Sequence, residues 1–238
     1  MDKDRVAVVI PVFNHEGKVA QVVREALKLH LPLFVIDDGS TDTTYDRIKD
    51  ISSVAIIRHD ANRGKGAAIL TGFAAAAPVA DWVVTMDADG QHHPEDARDL
   101  IGAVPPGQRP IIVGCREGMD QRHVPWTSRF GRAFSNFWVQ ASGGPDIRDT
   151  QSGFRLYPLP EAMHLGVRAR RFQFEVEILV RAKWHGIPVL ETPVGVTYEA
   201  EYERVSHYRG FVDFCRNTAT FSRLIFMRLC ILPFMQKK

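Results

Sequence analysis

Cysteine is scarce in this chain of 238 residues, and charge of either sign is nearly balanced. The three cysteines (Cys115, Cys215 and Cys230) are odd in number, widely spaced and without a C-x-x-C pair. We interpret them as buried or incidental thiols in a reducing compartment, not as a disulfide framework. The net charge of +2 is too small to indicate a partner such as nucleic acid.

Long apolar runs are also missing. The N-terminal run Val6–Ile10 stops at Pro11 and is too short for the apolar region of a signal peptide. Near the C-terminus, the longest uncharged stretch is Leu229–Gln236, far short of the roughly 20 residues that a membrane-spanning helix needs. We therefore expect a cytoplasmic protein with no signal peptide and no transmembrane helix.

What is present is a regular alternation of strands and helices. The predicted strands are Val6–Ile10, Leu33–Ile36, Val54–Ile57, Asp81–Thr85, Ile111–Val113 and Pro188–Glu191. The predicted helices cover about 17–30, 42–49, 65–77, 126–142, 174–185 and a final stretch from 208, with Thr41 or Asp42 as the N-cap of the second. This order predicts an α/β fold with a mostly parallel sheet flanked by helices. We expect one domain over residues 1–205 and a helical tail over 206–238.

Pairs of carboxylates follow two of these strands. Asp87 and Asp89 leave the fourth strand in the segment Met86–His93, and Asp37 and Asp38 leave the second. Open α/β sheets bind ligands at this edge, although one Asp-x-Asp-Gly alone is a common turn. Four carboxylates on one edge repel each other unless a cation neutralises them. The set therefore favours a divalent metal that carries the diphosphate of a nucleotide compound.

The turn Asn62–Gly66 joins the third strand to its helix at the same edge. Gly64 lets the backbone approach a ligand, and a helix N-terminus, here beside Lys65, favours an anion. The spacing matches neither the Walker A loop nor G-x-G-x-x-G, so the turn alone is a weak signal of phosphate binding.

The pair His92-His93 has the spacing of no known zinc pattern, and Pro94 is the expected first residue of the next helix. Gln91 is the better candidate ligand, as an oxygen donor to a harder ion.

Taken together, these motifs resemble family 2 glycosyltransferases of the GT-A (Rossmann-like) fold. The segments that carry the resemblance are Val9–Asn14, Val35–Asp42, Asn62–Ala68 and Met86–His92. Two later segments, Asp149–Tyr157 and Phe174–Glu177, resemble the dolichyl- or polyprenyl-phosphate sugar transferase branch, with a sequence typical of bacterial members. The match extends from residue 5 to about 210.

The resemblance implies a set of donor-binding and metal-binding residues. Those that correspond to nucleotide, ribose or phosphate contacts are Pro11, Phe13, Asp37, Asp38, Asp87 and Arg116. Gly64 and Lys65, at the helix N-terminus described above, are further candidate donor-binding residues. Asp89 and Gln91 correspond to the ligands of Mg²⁺ or Mn²⁺, with Asp87 beside them.

On the acceptor side, Arg155 corresponds to the arginine of an S-G-F-R motif and Glu177 to a helix acid of this branch, with Glu175 nearby. We count Asp89, Arg155, Glu175 and Glu177 as candidate catalytic residues, although the two glutamates also fit a solvated helix face. Arg204 and His207, in the late loop, are candidate phosphate ligands.

The implied activity is metal-dependent, inverting transfer of a sugar from a nucleotide-sugar donor to a polyprenyl phosphate. A lipid phosphate has a second pKa near ~6, so it is ionised at neutral pH and needs no general base. Two alternatives stay open: a hydroxyl acceptor, with Glu175, Glu177 or Asp149 as base, and a catalytically idle nucleotide-sugar-binding protein.

The C-terminal tail has a two-sided pattern. Phe214, Cys215, Thr218, Phe221 and Ile225 share one predicted helical face, and Arg209, Arg216 and Arg223 recur on another. One interpretation is a basic amphipathic helix on an anionic membrane surface, which makes the protein peripheral on the cytoplasmic face of the membrane. The other is a helix docked on the core or on a second subunit in a homodimer.

Overall fold

The computed structural model describes residues 5–116, 126–197 and 210–230. They contain a seven-stranded sheet in the order β3-β2-β1-β4-β6-β5-β7, in which only β6 is antiparallel to its neighbours. The strands are β1 (Val6–Val12), β2 (Leu33–Asp37), β3 (Ala55–Arg58), β4 (Trp82–Thr85), β5 (Ile111–Arg116), β6 (Arg155–Pro158) and β7 (Val189–Val194). The predicted α/β fold with a mostly parallel sheet is confirmed.

Helices cover both faces of this sheet. They are α1 (Val19–Leu27), α2 (Thr44–Ile48), α3 (Lys65–Ala76), α4 (Ala97–Gly102), α5 (Trp126–Ala141), α6 (Phe174–Trp184) and α7 (Gly210–Cys230). Strand β1 is buried along its whole length, with Val8 and Ile10 in one core cluster and Ala7 and Val9 in the other. This continuous burial explains its unbroken apolar sequence.

Two local features differ from the sequence predictions, and a third agrees with its prediction. Strand β6 was not predicted, because its four buried residues follow a polar motif and fill an antiparallel place between β4 and β5. The N-cap of α2 is Thr43, and the Asp42 carboxylate accepts the Thr44 N–H at 2.9 Å. Pro94 opens a short 3-10 helix that leads into α4, at the position expected for a helix start.

Helix α7 packs on the core. Phe221 and Leu224 are buried in a third core cluster with Val139 of α5 and with Val180 of α6. The predicted face is only partly covered: Phe221 is buried, whereas Phe214, Cys215 and Thr218 are exposed, and the Phe214 ring lies 5.3 Å from that of Phe134.

Of the predicted arginine stripe, Arg223 donates to Glu177 at 2.5 Å, while Arg209 lies outside the described residues. The predicted boundary between residues 205 and 206 also lies outside them and stays a prediction. Across the described ranges, no helix has both the length and the apolar character that crossing a membrane requires.

Candidate active site

The carboxyl ends of β1, β2 and β4 form one edge of the sheet. Val12 is in register with Asp37, and the Asp38 N–H donates to the Val12 carbonyl at 2.8 Å. On the other side of β1, the Met86 N–H donates to the Val9 carbonyl at 3.1 Å. Both carboxylate pairs thus leave neighbouring parts of the edge, as the alternation of strands and helices predicts.

Asp38 organises the turn before α3. Its two carboxylate oxygens accept the Arg63 N–H at 2.9 Å and the Gly64 N–H at 2.7 Å, and His59 Nδ1 lies 2.7 Å from one of them. Gly64 has a φ of 101°, a left-handed conformation that favours glycine. The carboxylate therefore fixes the helix N-terminus from which Lys65 extends.

Other predicted donor contacts lie around this turn. Asp37 is fully buried; its Oδ1 accepts the Ser40 N–H at 2.8 Å, and its Oδ2 lies 3.1 Å from Arg58 Nε. Pro11 is a buried residue of β1, and Phe13, just beyond the strand, is partly buried. Their contacts with a nucleotide stay predictions.

Lys65 joins the edge of the sheet to α6. Its Nζ lies 2.6 Å from Asp87 Oδ1 and 2.5 Å from Glu175 Oε1. Burial on its own lowers the pKa of Lys65, but the two carboxylates outweigh it and the pKa is raised. Burial likewise raises the pKa of Asp87, and the Lys65 charge outweighs it, so that pKa is lowered. Both groups are therefore charged at neutral pH.

Asp89 is in a different situation. Burial and the nearby charge of Asp87 raise its pKa to about 6, and its Oδ1 accepts the Gln91 N–H at 3.0 Å. Two carboxylates and the amide of Gln91 are oxygen donors that suit a hard cation sharing its shell with phosphate. Over the described ranges, no set of three His, Cys, Asp or Glu side chains is arranged to hold a metal.

We expect Asp89→Asn to stabilise the metal-free protein at neutral pH. The folded-state pKa of about 6 exceeds the ordinary value, so Asp89 itself contributes a loss of stability as pH rises from about 4 to 6. Asparagine does not titrate. The melting temperature in EDTA should rise by roughly 3 °C at pH 7.5 and by nothing at pH 4. A gain of the same size at both values would contradict the shifted pKa.

Glu175 and Glu177 serve different parts of the molecule. They lie two residues apart in the first turn of α6, a spacing that directs side chains to opposite faces of a helix. Both are buried, so the solvated-face interpretation is wrong. Glu175 reaches the site through Lys65, whereas Glu177 pairs with Arg181 at 2.7 Å and with Arg223 at 2.5 Å. A fully buried carboxylate between two guanidinium groups does not reach an acceptor, which argues against the predicted catalytic role of Glu177.

Arg155 is also fully buried. Its guanidinium donates to the carbonyl oxygens of Ser152 at 2.6 Å, Thr150 at 2.9 Å and Glu175 at 2.8 Å. These bonds tie the segment before β6 to the first turn of α6. The structure therefore places Arg155 in the interior, bonded to backbone carbonyls, and its predicted part on the acceptor side stays a prediction.

Arg116 and Asp149 form a two-pronged ion pair, with Nε–Oδ2 at 2.7 Å and Nη2–Oδ1 at 2.9 Å. Burial raises the pKa of Asp149, but its bonds to Arg116 outweigh it and the pKa is lowered. Asp149 is therefore a weak base. Arg204 and His207 lie outside the described residues, so their predicted phosphate contacts are not placed.

Sequence reasoning missed the contacts that pack against Gln91 and His92. His92 stacks on Phe154 with ring centroids 5.0 Å apart, and burial lowers the pKa of His92 to about 4. The chain at Val196 forms a bridge with His92, and the Thr197 N–H donates to the Gln91 carbonyl at 2.9 Å.

Gly153→Ala is expected to weaken donor binding. A Cβ at Gly153 would lie 2.7 Å from Asp87 Oδ2 and 2.7 Å from Lys65 Nζ, so one or both of these side chains must shift. We expect the dissociation constant for a nucleotide diphosphate to rise about tenfold, measured by calorimetry. Gly102→Ala is the control, since nothing lies within 4 Å of a Cβ there. Equal affinity of the two variants would contradict this packing.

The mostly parallel seven-stranded sheet, with carboxylates at the carboxyl ends of its strands, is the arrangement of the GT-A fold. More narrowly, the chain belongs to glycosyl transferase family 2, whose sequence model matches residues 7–159. The family membership confirms the expected enzyme class, and the chain is a glycosyltransferase.

Named relatives narrow the branch. The chain is 28% identical to the UDP-N-acetylglucosamine–dolichyl-phosphate N-acetylglucosaminyltransferase of Methanococcus voltae, over 93% of this chain and 95% of that one. It is 30% identical to the polyprenol monophosphomannose synthase of Mycolicibacterium smegmatis, over 81% of this chain and 77% of that one. The predicted resemblance to the polyprenyl-phosphate branch is thus supported.

Among solved structures, the glucosyl-3-phosphoglycerate synthase of Mycobacterium tuberculosis, in complex with Mn²⁺, UDP and glucosyl-3-phosphoglycerate, superposes with a TM-score of 0.69. The alignment covers 95% of this chain and 80% of that one at 19% identity. At that identity the likeness shows the fold alone.

Proposed function

We propose that this glycosyltransferase transfers a sugar from a nucleotide-diphosphate sugar to a polyprenyl phosphate, with inversion at the anomeric carbon and with Mg²⁺ or Mn²⁺. The names of the two relatives, which act on dolichyl phosphate or make polyprenol monophosphomannose, support this acceptor class. A membrane-embedded acceptor implies that the protein works at a membrane surface, peripheral on its cytoplasmic side.

One observation carries the choice of acceptor: the candidate bases are all engaged. Glu175 is paired with Lys65, Asp149 with Arg116, and Glu177 is fully buried between two arginines. A hydroxyl acceptor needs a base to take its proton, whereas a phosphate is already ionised and needs none. The described site therefore favours a phosphate nucleophile over a hydroxyl.

Asp89 and Gln91 would hold the metal, with Asp87 beside them. When bound, a divalent cation supplies Lewis-acid stabilisation of the leaving nucleotide diphosphate. Asp87 is paired with Lys65, and burial together with the charge of Asp87 raises the pKa of Asp89 to about 6, so a cation near Asp89 would favour its ionised form. The oxygen donors of Asp89 and Gln91 fit a hard divalent cation.

The chain's own groups have separate roles in this proposal. Lys65 and the N-terminus of α3 face the diphosphate and favour its negative charge. Arg116 is held by Asp149 and lies at the carboxyl end of β5, at the edge of the sheet. The phosphate oxygen of the acceptor attacks the anomeric carbon from the face opposite the leaving group, which inverts the configuration.

A donor panel tests this function. Nucleotide-diphosphate release is measured with Mn²⁺ or Mg²⁺, without acceptor, with a short polyprenyl phosphate, and with the polyprenol of the same length. We expect release that depends on the phosphorylated lipid. Equal stimulation by the free alcohol would support the hydroxyl acceptor, and release that no lipid changes would overturn the proposal.

A further inference from the structure

Glu177 connects helix α6 to the segment that precedes it and to the distant helix α7. We propose that Glu177 and Arg223 are positioning residues, through which helix α7 holds the segment 168–171 against the turn that presents Lys65. The proposal rests on the proposed function in one respect, namely that Lys65 faces the donor diphosphate. It gives the C-terminal helix a part in donor binding without any contact with the donor.

The first step is the set of donors around the Glu177 carboxylate. Oε1 accepts from Arg181 Nε at 2.7 Å and from the Arg168 N–H at 3.2 Å. Oε2 accepts from Arg223 Nη2 at 2.5 Å and from the Ala169 N–H at 2.8 Å. The carboxylate is fully buried, so it needs these donors to stay ionised. Removal of Arg223 leaves one oxygen with a single amide donor.

The second step is the contact between this segment and the turn before α3. The Ala67 N–H donates to the Arg170 carbonyl at 2.9 Å, and Arg171 Nη1 donates to Asn62 Oδ1 at 3.0 Å. The two segments are closely packed, since a Cβ on Gly64 would lie 2.5 Å from the Arg170 carbonyl oxygen. Displacement of the segment is therefore passed to the backbone that carries Lys65.

The third step is the connection from Lys65 to the donor site. Its Nζ bridges Asp87 and Glu175, and Glu175 lies two residues before Glu177 on the same helix. Helix α6 thus has one acid toward the donor site and one toward α7. A shift of about 1 Å in a charged side chain that binds the donor can lower the binding affinity or the rate by a large factor. The anchoring of Lys65 therefore affects donor binding.

The test compares two arginines of α7. Arg223→Met removes the ion pair with Glu177, whereas Arg228→Met removes another guanidinium bond of the same helix, an exposed one from Nη1 to the Ala141 carbonyl at 2.7 Å. Hydrogen exchange is followed at the amides of Ala67, Arg168 and Ala169, and the affinities for UDP and GDP are measured by calorimetry. For Arg223→Met we expect faster exchange at these amides and about tenfold weaker binding of the preferred nucleotide. Arg228→Met should change neither by more than about twofold.

The proposal is overturned if the two variants lose affinity and protection equally, or if Arg223→Met leaves both unchanged. If Arg223→Met does not fold, Arg223→Lys gives the answer, because it keeps a cation with fewer donors and should lie between wild type and full loss. A wild-type protein that binds neither nucleotide would contradict the proposed function, while the exchange experiment would still test the anchoring.

Discussion

An Asp89→Asn enzyme is expected to lose about 10³-fold in turnover while keeping its fold. The substitution removes the Asp89 carboxylate, whose pKa is raised to about 6 by burial and by the charge of Asp87 at the same edge of the sheet. Asparagine keeps the shape and can still accept the Gln91 N–H, so the loss is one of charge. Turnover is measured as nucleotide-diphosphate release at saturating donor and metal, with circular dichroism to confirm folding.

Asp60→Asn is the matched control, because Asp60 is an exposed acid shortly before the Asn62–Gly66 turn. It should retain activity within about twofold, as surface charges contribute little. Undiminished turnover by folded Asp89→Asn would contradict the assignment of Asp89 as a metal ligand. Combined with the expected gain in melting temperature, the variant would show that Asp89 is kept for function at a cost in stability.

Lys65→Met is expected to lower kcat/KM for the donor about 10²-fold. Two effects act together: the diphosphate loses a cation, and Asp87 and Glu175 lose the charge that neutralises them. Methionine preserves the length of the aliphatic chain, so packing is largely retained. Steady-state kinetics over a range of donor concentrations measures the change.

Lys49→Met is the control for removing a lysine ion pair, since Lys49 pairs with Asp46 on an exposed helix surface at 2.7 Å. Its kcat/KM should stay within about twofold of wild type. If Lys65→Met matched this control, the lysine would be only a structural counter-charge for Asp87 and Glu175.

The common edge was predictable because parallel strands joined by helices place their carboxyl ends together. The positions of Asp37, Asp38, Asp87 and Asp89 followed from hydrophobic runs and the turns after them. The start of α3 at Lys65 followed from the glycines of its turn. These features depend on local sequence.

The partners of the charged residues were not predictable. Arg155 binds carbonyl oxygens, and Arg223 reaches Glu177 across 46 positions of sequence. Such pairs depend on how helices dock, which no local pattern encodes. The opposite directions of Glu175 and Glu177, by contrast, follow from helical spacing alone and could have been read from the sequence. Strand β6 was missed because a polar motif precedes it and its antiparallel place depends on both neighbours.

The central claim is that a lipid phosphate receives the sugar. The most direct measurement follows a radiolabelled sugar from its nucleotide donor into an organic extract, in the presence of metal and a polyprenyl phosphate. We predict label in the organic phase that mild acid releases, as expected of a sugar–phosphate–lipid, and no such label with polyprenol. Label that stays in water, or that enters the lipid equally well with polyprenol, would contradict the account.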